Sequence, residues 1–197
     1  MKTTLTLICF LFMSSLSFSQ IYEIGGFVGG SNFIGDVGST QFVNPNKLAF
    51  GGLFKWNRSP RHSLRASLTY STLSANDALS SDPRRKLRAY NFNADILEAS
   101  VGIEFNFLDF DLHAATPMST PYIYTGISMA NHPNFYFTNV DLVSEKTRSN
   151  AYGIPITLGF KTTLTRHIIL ALEVGARYTF SDELDGSEPD TEELKKI

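Results

Sequence analysis

The sequence predicts an all-β protein, a small up-and-down antiparallel barrel of about eight strands. Three observations favour this fold. Apolar and polar residues alternate in repeated blocks, short and long connectors alternate between the blocks, and no run of 18 apolar residues follows position 20. Alternation puts every second side chain on the same face of a strand, whereas a helix that spans a membrane needs about 20 consecutive apolar residues.

The composition excludes several classes of protein. Hydrophobic residues make up 43% of the 197 residues, which is too apolar for an intrinsically disordered chain. The net charge of -2 gives no basic field, so we expect no nucleic-acid partner. The single cysteine excludes a disulfide framework and a cysteine zinc site.

The N-terminus has the pattern of a secretory signal peptide. Lys2 supplies the positive start, an apolar stretch runs from Leu5 to Leu16, and the small residues Ser17 and Ser19 precede a cleavage point. This stretch is too short to cross a bilayer as a helix. The expected organisation is a signal peptide over 1–19, a barrel over 20–181, and a polar acidic tail or truncated outer loop over 182–197.

Seven segments show the pattern of strands. The stretch Tyr90–Ile96 extends the fourth of them, with a change of phase that indicates a β-bulge. A single-chain bacterial barrel has an even number of strands, and the acidic C-terminal segment has no strand pattern, so we expect the last strand to be missing from this sequence. The predicted strands are Tyr22–Val28, Leu48–Trp56, Ser63–Tyr70, Leu97–Phe107, Tyr122–Met129, Ile154–Lys161 and Ile168–Phe180.

The connectors differ in length between the two ends of the barrel. Asn57–Pro60 and Leu164–Arg166 are predicted tight turns, and Leu108–Thr120 is a longer connector at the same end. Short turns at one end and long loops at the other are typical of outer-membrane barrels, whose apolar band is about 25 Å tall. The long, polar and irregular connectors are predicted at Ser31–Lys47, Ser74–Ala89 and Asn131–Ala151.

The polar face of the strands indicates which side meets lipid. A soluble lipocalin-like barrel turns its apolar face inward and covers its outside with charges. Here charges of both signs stand singly among small residues, which fits the interior of a narrow barrel. The expected interior ionic network is Glu23, Arg65, Glu98, Glu104, Lys161, Glu173 and Arg177. The expected aromatic girdle on the outside is Tyr22, Trp56, Tyr70, Phe105, Phe107, Tyr122, Tyr124, Phe160, Tyr178 and Phe180.

No motif for catalysis, for a cofactor or for a metal is found. The four histidines lack HxxxH and HExxH spacing, and no GxSxG elbow occurs. The glycines between Gly25 and Gly30 lie within a strand, whereas a phosphate loop needs a strand, the glycines and then a helix. We expect no enzymatic activity, no cofactor, no metal and no small-molecule substrate. A barrel enzyme that uses carboxylates such as Glu98 or Glu173, and a lipocalin-like binder, remain alternatives.

The block Tyr22–Gly38 reads Tyr-Glu-Ile-Gly-Gly-Phe-Val-Gly-Gly-Ser-Asn-Phe-Ile-Gly-Asp-Val-Gly. It resembles the PorG-like outer-membrane barrels of the type IX secretion system. The resemblance covers roughly residues 20–186. It continues through Trp56, Arg61, Arg65–Leu68, Glu104–Phe107, Pro121–Tyr122, Gly126–Ser128, Ile154–Pro155, Gly159–Lys161, Glu173, Gly175, Arg177, Phe180, Asp182 and Leu184–Asp185.

The resemblance implies a non-enzymatic barrel in the outer membrane of a Gram-negative bacterium. Its partners would be outer-membrane lipids and the periplasmic ring of the secretion machine, which is built from a lipoprotein and its partner. With the N-terminus in the periplasm, the turn side would face that ring, with Leu108–Thr120 as the best candidate contact. The candidate contact residues are Asn57, Arg58, Arg61, Leu108, Asp109, Asp111, His113 and Arg166. The alternative is an OmpX-like surface barrel that acts in adhesion or envelope integrity through its long outer loops.

Overall fold

The computed structural model describes residues 22–35, 38, 41, 44–89, 91–114, 116–137 and 142–180. Within these ranges the chain forms one antiparallel sheet of seven strands, which are neighbours in the order of the sequence. The prediction of an all-β, up-and-down fold is confirmed. The predicted signal peptide and the tail at 182–197 lie outside the described residues. The strands are β1 (Tyr22–Ser31), β2 (Lys47–Asn57), β3 (His62–Asn76), β4 (Asn91–Asn106), β5 (Ser119–Phe137), β6 (Leu142–Thr165) and β7 (Ile168–Thr179).

The sheet is curled into a half-barrel. Neighbouring strands lie about 4.8 Å apart, so β3 and β7 would be roughly 19 Å apart in a flat sheet. Nη1 of Arg65 on β3 nevertheless lies 2.6 Å from Oε1 of Glu173 on β7. Only strong curvature brings these two strands within reach of each other, and it creates a concave inner face and a convex outer face.

Strand β4 alternates between the two faces without interruption. It runs from Asn91 to Asn106 and keeps one register with β3 throughout. The predicted β-bulge near Ile96 is therefore wrong. The concave face holds both the polar Glu98 and the apolar side chains of Phe92, Ala94 and Ile96. The lining of the half-barrel thus changes from polar to apolar along the strand, and this change looks like a change of phase in the sequence.

A small apolar cluster fills the concave face where its lining is apolar. Ala75, Phe92 and Ala94 form its buried centre, and Phe33 and Leu73 pack against them. The rings of Phe33 and Phe92 meet edge to face at 5.1 Å between centroids. We call these five residues the mouth cluster.

The two ends of the sheet carry different connectors. The turn end carries the residues between β2 and β3, between β4 and β5, and between β6 and β7, and the loop end is the opposite end. At the loop end, β5 and β6 are 19 and 24 residues long and reach Phe137 and Leu142. The prediction that Asn131–Ala151 is an irregular loop is therefore wrong, because most of this segment is a paired hairpin.

The connector predicted at Ser74–Ala89 also contains regular structure. It holds the end of β3, a 3₁₀ turn at Asp77–Leu79 and the short helix α1 (Pro83–Arg88). The side chain of Asp82 accepts from the N–H of Arg84 and caps the helix, whose first residue is proline. Among the described residues, no helix is long and apolar enough to span a membrane.

Candidate functional site

Eight ionisable side chains lie on the concave face, and we call them the inner network. Alternation along each strand turns these side chains inward, while their sequence neighbours point outward. Their formal charges balance, with four cations and four carboxylates. The inner network consists of Lys55, Arg65, Lys161 and Arg177 with Glu23, Glu98, Glu104 and Glu173.

Glu104 on β4 is the centre of the inner network and is completely buried. Lys55 on β2 lies 2.7 Å from Oε2, and Lys161 on β6 lies 2.7 Å from Oε1. Arg65 on β3 adds a third cation, with Nη1 3.6 Å from Oε2. A carboxylate removed from water is stable only when it is paired and hydrogen-bonded, and these contacts from three strands meet that need.

Arg65 connects Glu104 to a second carboxylate, Glu173 on β7. The guanidinium holds Glu173 through two parallel hydrogen bonds, Nη1 to Oε1 at 2.6 Å and Nη2 to Oε2 at 3.0 Å. Such bidentate pairs are directional as well as strong. Arg65 therefore fixes the position of β7 relative to β3 and β4.

Tyr122 on β5 lies inside the inner network and is only 1% exposed. Its hydroxyl donates to Oε1 of Glu173, and the ammonium groups of Lys55 and Lys161 lie 5.1 and 5.3 Å from its ring centroid. These are cation–π distances. Tyr122 thus contributes a donor at one end and a polarisable face along its length.

The structure corrects two residues of the predicted aromatic girdle. Tyr122 and Tyr124 are both buried on the concave face. The hydroxyl of Tyr124 donates to Oγ of Ser100 at 3.0 Å, and its ring centroid lies 4.7 Å from Cζ of Arg65. Both rings point inward because polar partners there satisfy their hydroxyl groups.

The remaining members of the inner network lie at its edges. Nε of Arg177 is 3.2 Å from Oε1 of Glu98, and Glu23 accepts from Nδ2 of Asn57 at 2.8 Å. All seven residues predicted from the sequence thus lie on the concave face. Direct contacts join Arg65, Glu104, Lys161 and Glu173, whereas Glu98 with Arg177 and Glu23 with Asn57 form separate pairs. Sequence reasoning missed Lys55, although alternation through β2 puts it on the inner face.

The connector between β4 and β5 closes the turn end of the half-barrel. Phe110 is buried, its N–H donates to the carbonyl of Pro60 at 3.1 Å, and its ring centroid lies 4.6 Å from Nζ of Lys161. Nδ2 of Asn106 donates to the same carbonyl at 2.9 Å. No sequence pattern indicates this burial, since Phe110 lies outside every predicted strand.

Seven of the eight predicted contact residues are exposed at the turn end. Arg61 and Asp109 form an ion pair at 2.5 Å, and Cζ of Arg58 lies 4.7 Å from the ring centroid of Trp56. The eighth, Asn57, is a correction, because its side chain bonds Glu23 and Ser63 and belongs to the interior. The exposed residues are Arg58, Arg61, Leu108, Asp109, Asp111, His113 and Arg166.

Asp111 and His113 form a local turn at this surface. The N–H of His113 donates to Oδ1 of Asp111 at 2.9 Å, and the ring Nδ1 lies 3.1 Å from the same oxygen. The backbone hydrogen bond, followed by the contact with the ring, holds the pKa of the Asp111 carboxyl below its ordinary value.

The convex face is apolar and open. Val101 on β4 is 53% exposed and Leu172 on β7 is 74% exposed, whereas Arg65 and Glu104 are buried. The polarity is therefore the reverse of a soluble barrel, in which apolar residues fill the inside. We call these outward side chains the apolar belt. They include Ile24, Val28, Phe50, Phe54, Leu64, Leu68, Val101, Ile103, Ile127, Ile156, Leu158, Phe160, Leu170, Leu172 and Val174.

Within the described ranges, no group of three or more potential ligand residues is arranged to hold a metal ion. The carboxylates of the inner network are instead bonded to cations, a tyrosine and an amide of the same chain. This arrangement can hold neighbouring strands together and exclude water from the concave face. Each carboxylate of the inner network is bound by groups of the same chain.

Comparison with known proteins gives a family but no characterised relative. Neither the curated proteins nor the solved structures give a match to the chain. The profile of a domain of unknown function, DUF6089, matches residues 2–197, which is nearly the whole chain. The chain therefore belongs to the DUF6089 family.

Proposed function

We propose that the chain is a non-enzymatic β-barrel of the Gram-negative outer membrane and a component of a type IX-like protein secretion machine. In this role the barrel anchors the machine in the membrane and associates with its periplasmic ring through the turn end. The observation that carries the membrane part of the proposal is the reversed polarity of the half-barrel, with Glu104 buried and Val101 exposed.

An exposed apolar surface of this extent is unfavourable in water and favourable in hydrocarbon. Monomeric soluble proteins rarely expose contiguous apolar patches above a few hundred Å². Hydrocarbon requires that charged groups be turned away from lipid and paired with each other, and the inner network meets this requirement. The polarity of the two faces is therefore the strongest support for a membrane location.

The height of the apolar belt fits the same environment. All outward positions of β7 from Ile168 to Tyr178 are apolar. These ten residue steps measure about 33 Å along the strand, and about 25 Å at a tilt near 40°. An outer-membrane barrel has an apolar band of about this height.

Polar groups border the belt at both ends. At the loop end, Nη2 of Arg148 donates to the carbonyls of Asp95 and Asn131, both at 3.1 Å. At the turn end, Arg58 stacks on Trp56. Charged and aromatic side chains of this kind occur where a barrel leaves the hydrocarbon.

The turn end supports the association with a partner. Its exposed residues carry both charges and an apolar side chain, Leu108, on a connector that Phe110 anchors to the barrel. A rigid surface loses little entropy when it binds. The resemblance to PorG-like barrels supplies the identity of the partner, a periplasmic ring.

The test is co-purification from detergent-solubilised membranes of the native host. The double variant Asp111→Lys with His113→Glu changes the exposed part of the connector and leaves Phe110 in place. We expect the ring proteins to be lost and export of cargo to fall. The matched control, Arg84→Glu with Lys86→Glu on α1 at the loop end, should leave both unchanged. Ring proteins that remain bound to the connector variant would contradict the proposal.

The hairpin of β5 and β6 favours the OmpX-like alternative. Strands of 19 and 24 residues exceed the 9–11 residues that cross a membrane, so this hairpin projects beyond the belt at the loop end. Projecting hairpins offer backbone groups to a binding partner. In the experiment above, a surface barrel would keep protein export in both variants, because neither variant changes this hairpin.

A further inference from the structure

A polar cavity at the loop end is separate from the inner network and from the turn end. It has a volume of about 170 Å³ and lies between the end of β1, the residues before β2 and the end of β3. A protein cavity of about 150 Å³ can hold a molecule as large as benzene, so this cavity has room for one small molecule. Among the described residues, its lining is Asn32, Phe33, Gln41, Asn44, Asn46, Ser74, Ala75, Asn76 and Leu79.

The lining has an unusual chemistry for a surface cavity. Five of the nine residues carry a carboxamide, one carries a hydroxyl, and none is charged. A carboxamide presents a donor and an acceptor side by side, which matches a hydroxyl that both donates and accepts. These nine residues offer no counter-charge to a phosphate or a carboxylate.

Two of the amides are fixed by bonds to the protein itself. Nδ2 of Asn46 donates to the carbonyl of Ser74 at 3.1 Å, and Oδ1 of Asn76 accepts from the N–H of Ala78 at 2.9 Å. The second polar atom of each side chain, Oδ1 of Asn46 and Nδ2 of Asn76, has no hydrogen-bond partner within the described part of the chain. Each of the two side chains thus has a fixed orientation at the cavity, with one further polar atom that bonds none of the described residues, and such preorganisation favours binding.

Phe33 gives the cavity an apolar wall. The ring packs edge to face on Phe92, so the mouth cluster holds it in position. An aromatic or apolar face next to amides suits a ligand that has C–H groups on one side and hydroxyl groups around its edge. We propose that this cavity binds a single uncharged pyranose unit of a carbohydrate.

The test uses the full-length chain in lauryldimethylamine oxide micelles, because this detergent has no sugar headgroup. Methyl α-glucopyranoside, methyl α-galactopyranoside and methyl α-mannopyranoside are titrated while saturation-transfer NMR is recorded. We expect at least one to bind with a Kd in the roughly millimolar range, which is usual for a ligand of about a dozen heavy atoms. Glucuronic acid should bind more weakly, since none of the nine described lining residues is a cation that could pair with its carboxylate.

Two variants at one exposed position separate binding from folding. Asn44 makes no side-chain hydrogen bond with the described residues, so Asn44→Ala should leave stability unchanged and weaken sugar binding about fivefold. Asn44→Trp should block the cavity and abolish binding. The control Asn150→Ala removes a loop-end amide outside the cavity and should bind as the native chain does.

Three results would overturn the proposal: no binding of any pyranoside, equal binding to the Asn44→Trp variant, or equal binding of N-acetylalanine methylamide, which would indicate a peptide site. The measurement is independent of the secretion role, because it requires neither ring proteins nor export.

Discussion

Gly159 on β6 leaves the space that the ring of Tyr122 occupies on the neighbouring strand. The two residues are cross-strand partners, and a Cβ at position 159 would lie 2.3 Å from Cζ of Tyr122. The absence of a side chain at Gly159 therefore allows Tyr122 to lie flat across the sheet and reach Glu173.

We expect Gly159→Ala to destabilise the barrel, because the displaced Tyr122 ring would also lose its bond to Glu173. Overpacking of this kind costs about 1–3 kcal/mol. Reversible urea unfolding in micelles would measure the change in the free energy of unfolding. Gly29→Ala is the control, since a Cβ there meets no atom within 4 Å. Equal stability of the two variants would contradict this role of Gly159.

Neutralising Glu104 should be far more damaging than neutralising Glu98. Glu104→Gln leaves Lys55, Lys161 and Arg65 without their shared carboxylate, and the loss of one partner from a buried pair costs about 3–5 kcal/mol. The carboxylate of Glu98 is also buried, but its single ion-pair partner Arg177 has a side chain that is 42% exposed and stays hydrated, so Glu98→Gln should cost clearly less. The double variant Glu104→Gln with Lys161→Met should recover part of the loss. The same urea unfolding experiment decides between these outcomes.

Two leucines on β6 allow a direct test of the proposed membrane location. Leu158 and Leu164 are 59% and 58% exposed, and Leu158 pairs with Val174 near the middle of the apolar belt, whereas Leu164 lies at the turn end. A lysine at the midplane of a barrel costs about 2–4 kcal/mol, and one near the interface about 0–1 kcal/mol.

We therefore expect Leu158→Lys to insert poorly into lipid vesicles and Leu164→Lys to insert almost normally. Folding yield in vesicles, followed by protease protection, gives the readout. If the convex face met water, both variants would fold with equal yield, because their exposure is the same.

We expect the stability of the turn at Asp111 to depend on pH, mainly through the backbone N–H of His113. The pKa of the Asp111 carboxyl is lowered in the folded protein, so its bond contributes stability above the unfolded pKa and loses it as the pH falls through the folded value. His113→Pro removes the N–H donor and should return the pKa towards its ordinary value. His113→Ala keeps the donor and should shift it less. Carbon-detected NMR titration measures the pKa of Asp111 in both variants. A larger change of this pKa in His113→Ala than in His113→Pro would show that the ring is the main cause and would contradict the prediction.

The strands and most of the inner network could be predicted from the sequence, because both depend on alternation alone. A residue such as Glu104 is predicted to face inward once its neighbours Ile103 and Phe105 are assigned outward. Tyr122 and Tyr124 could not be assigned this way, since an aromatic ring with a hydroxyl suits either face. The same ambiguity affected Phe92 to Ile96, whose apolar side chains line the interior and gave the false signal of a bulge.

Other features depend on the curvature of the sheet, which no local pattern encodes. Phe110 is buried only because the connector folds beneath the strands onto Pro60. The amides of the loop-end cavity come from three separate segments, and their meeting depends on how β1 and β3 end. Spacing along the chain does not predict contacts of this kind.

The clamp of Arg65 on Glu173 has a consequence for how the molecule is assembled. The two residues are 108 positions apart in the chain. The clamp therefore forms only after β4, β5 and β6 have paired between β3 and β7. Contacts between residues so far apart in the chain slow folding, because the chain loses the entropy of loop closure before the contact contributes any stability. Strand β7 brings both a carboxylate, Glu173, and a guanidinium, Arg177, so it docks as an electrically neutral unit and leaves the net charge of the concave face unchanged.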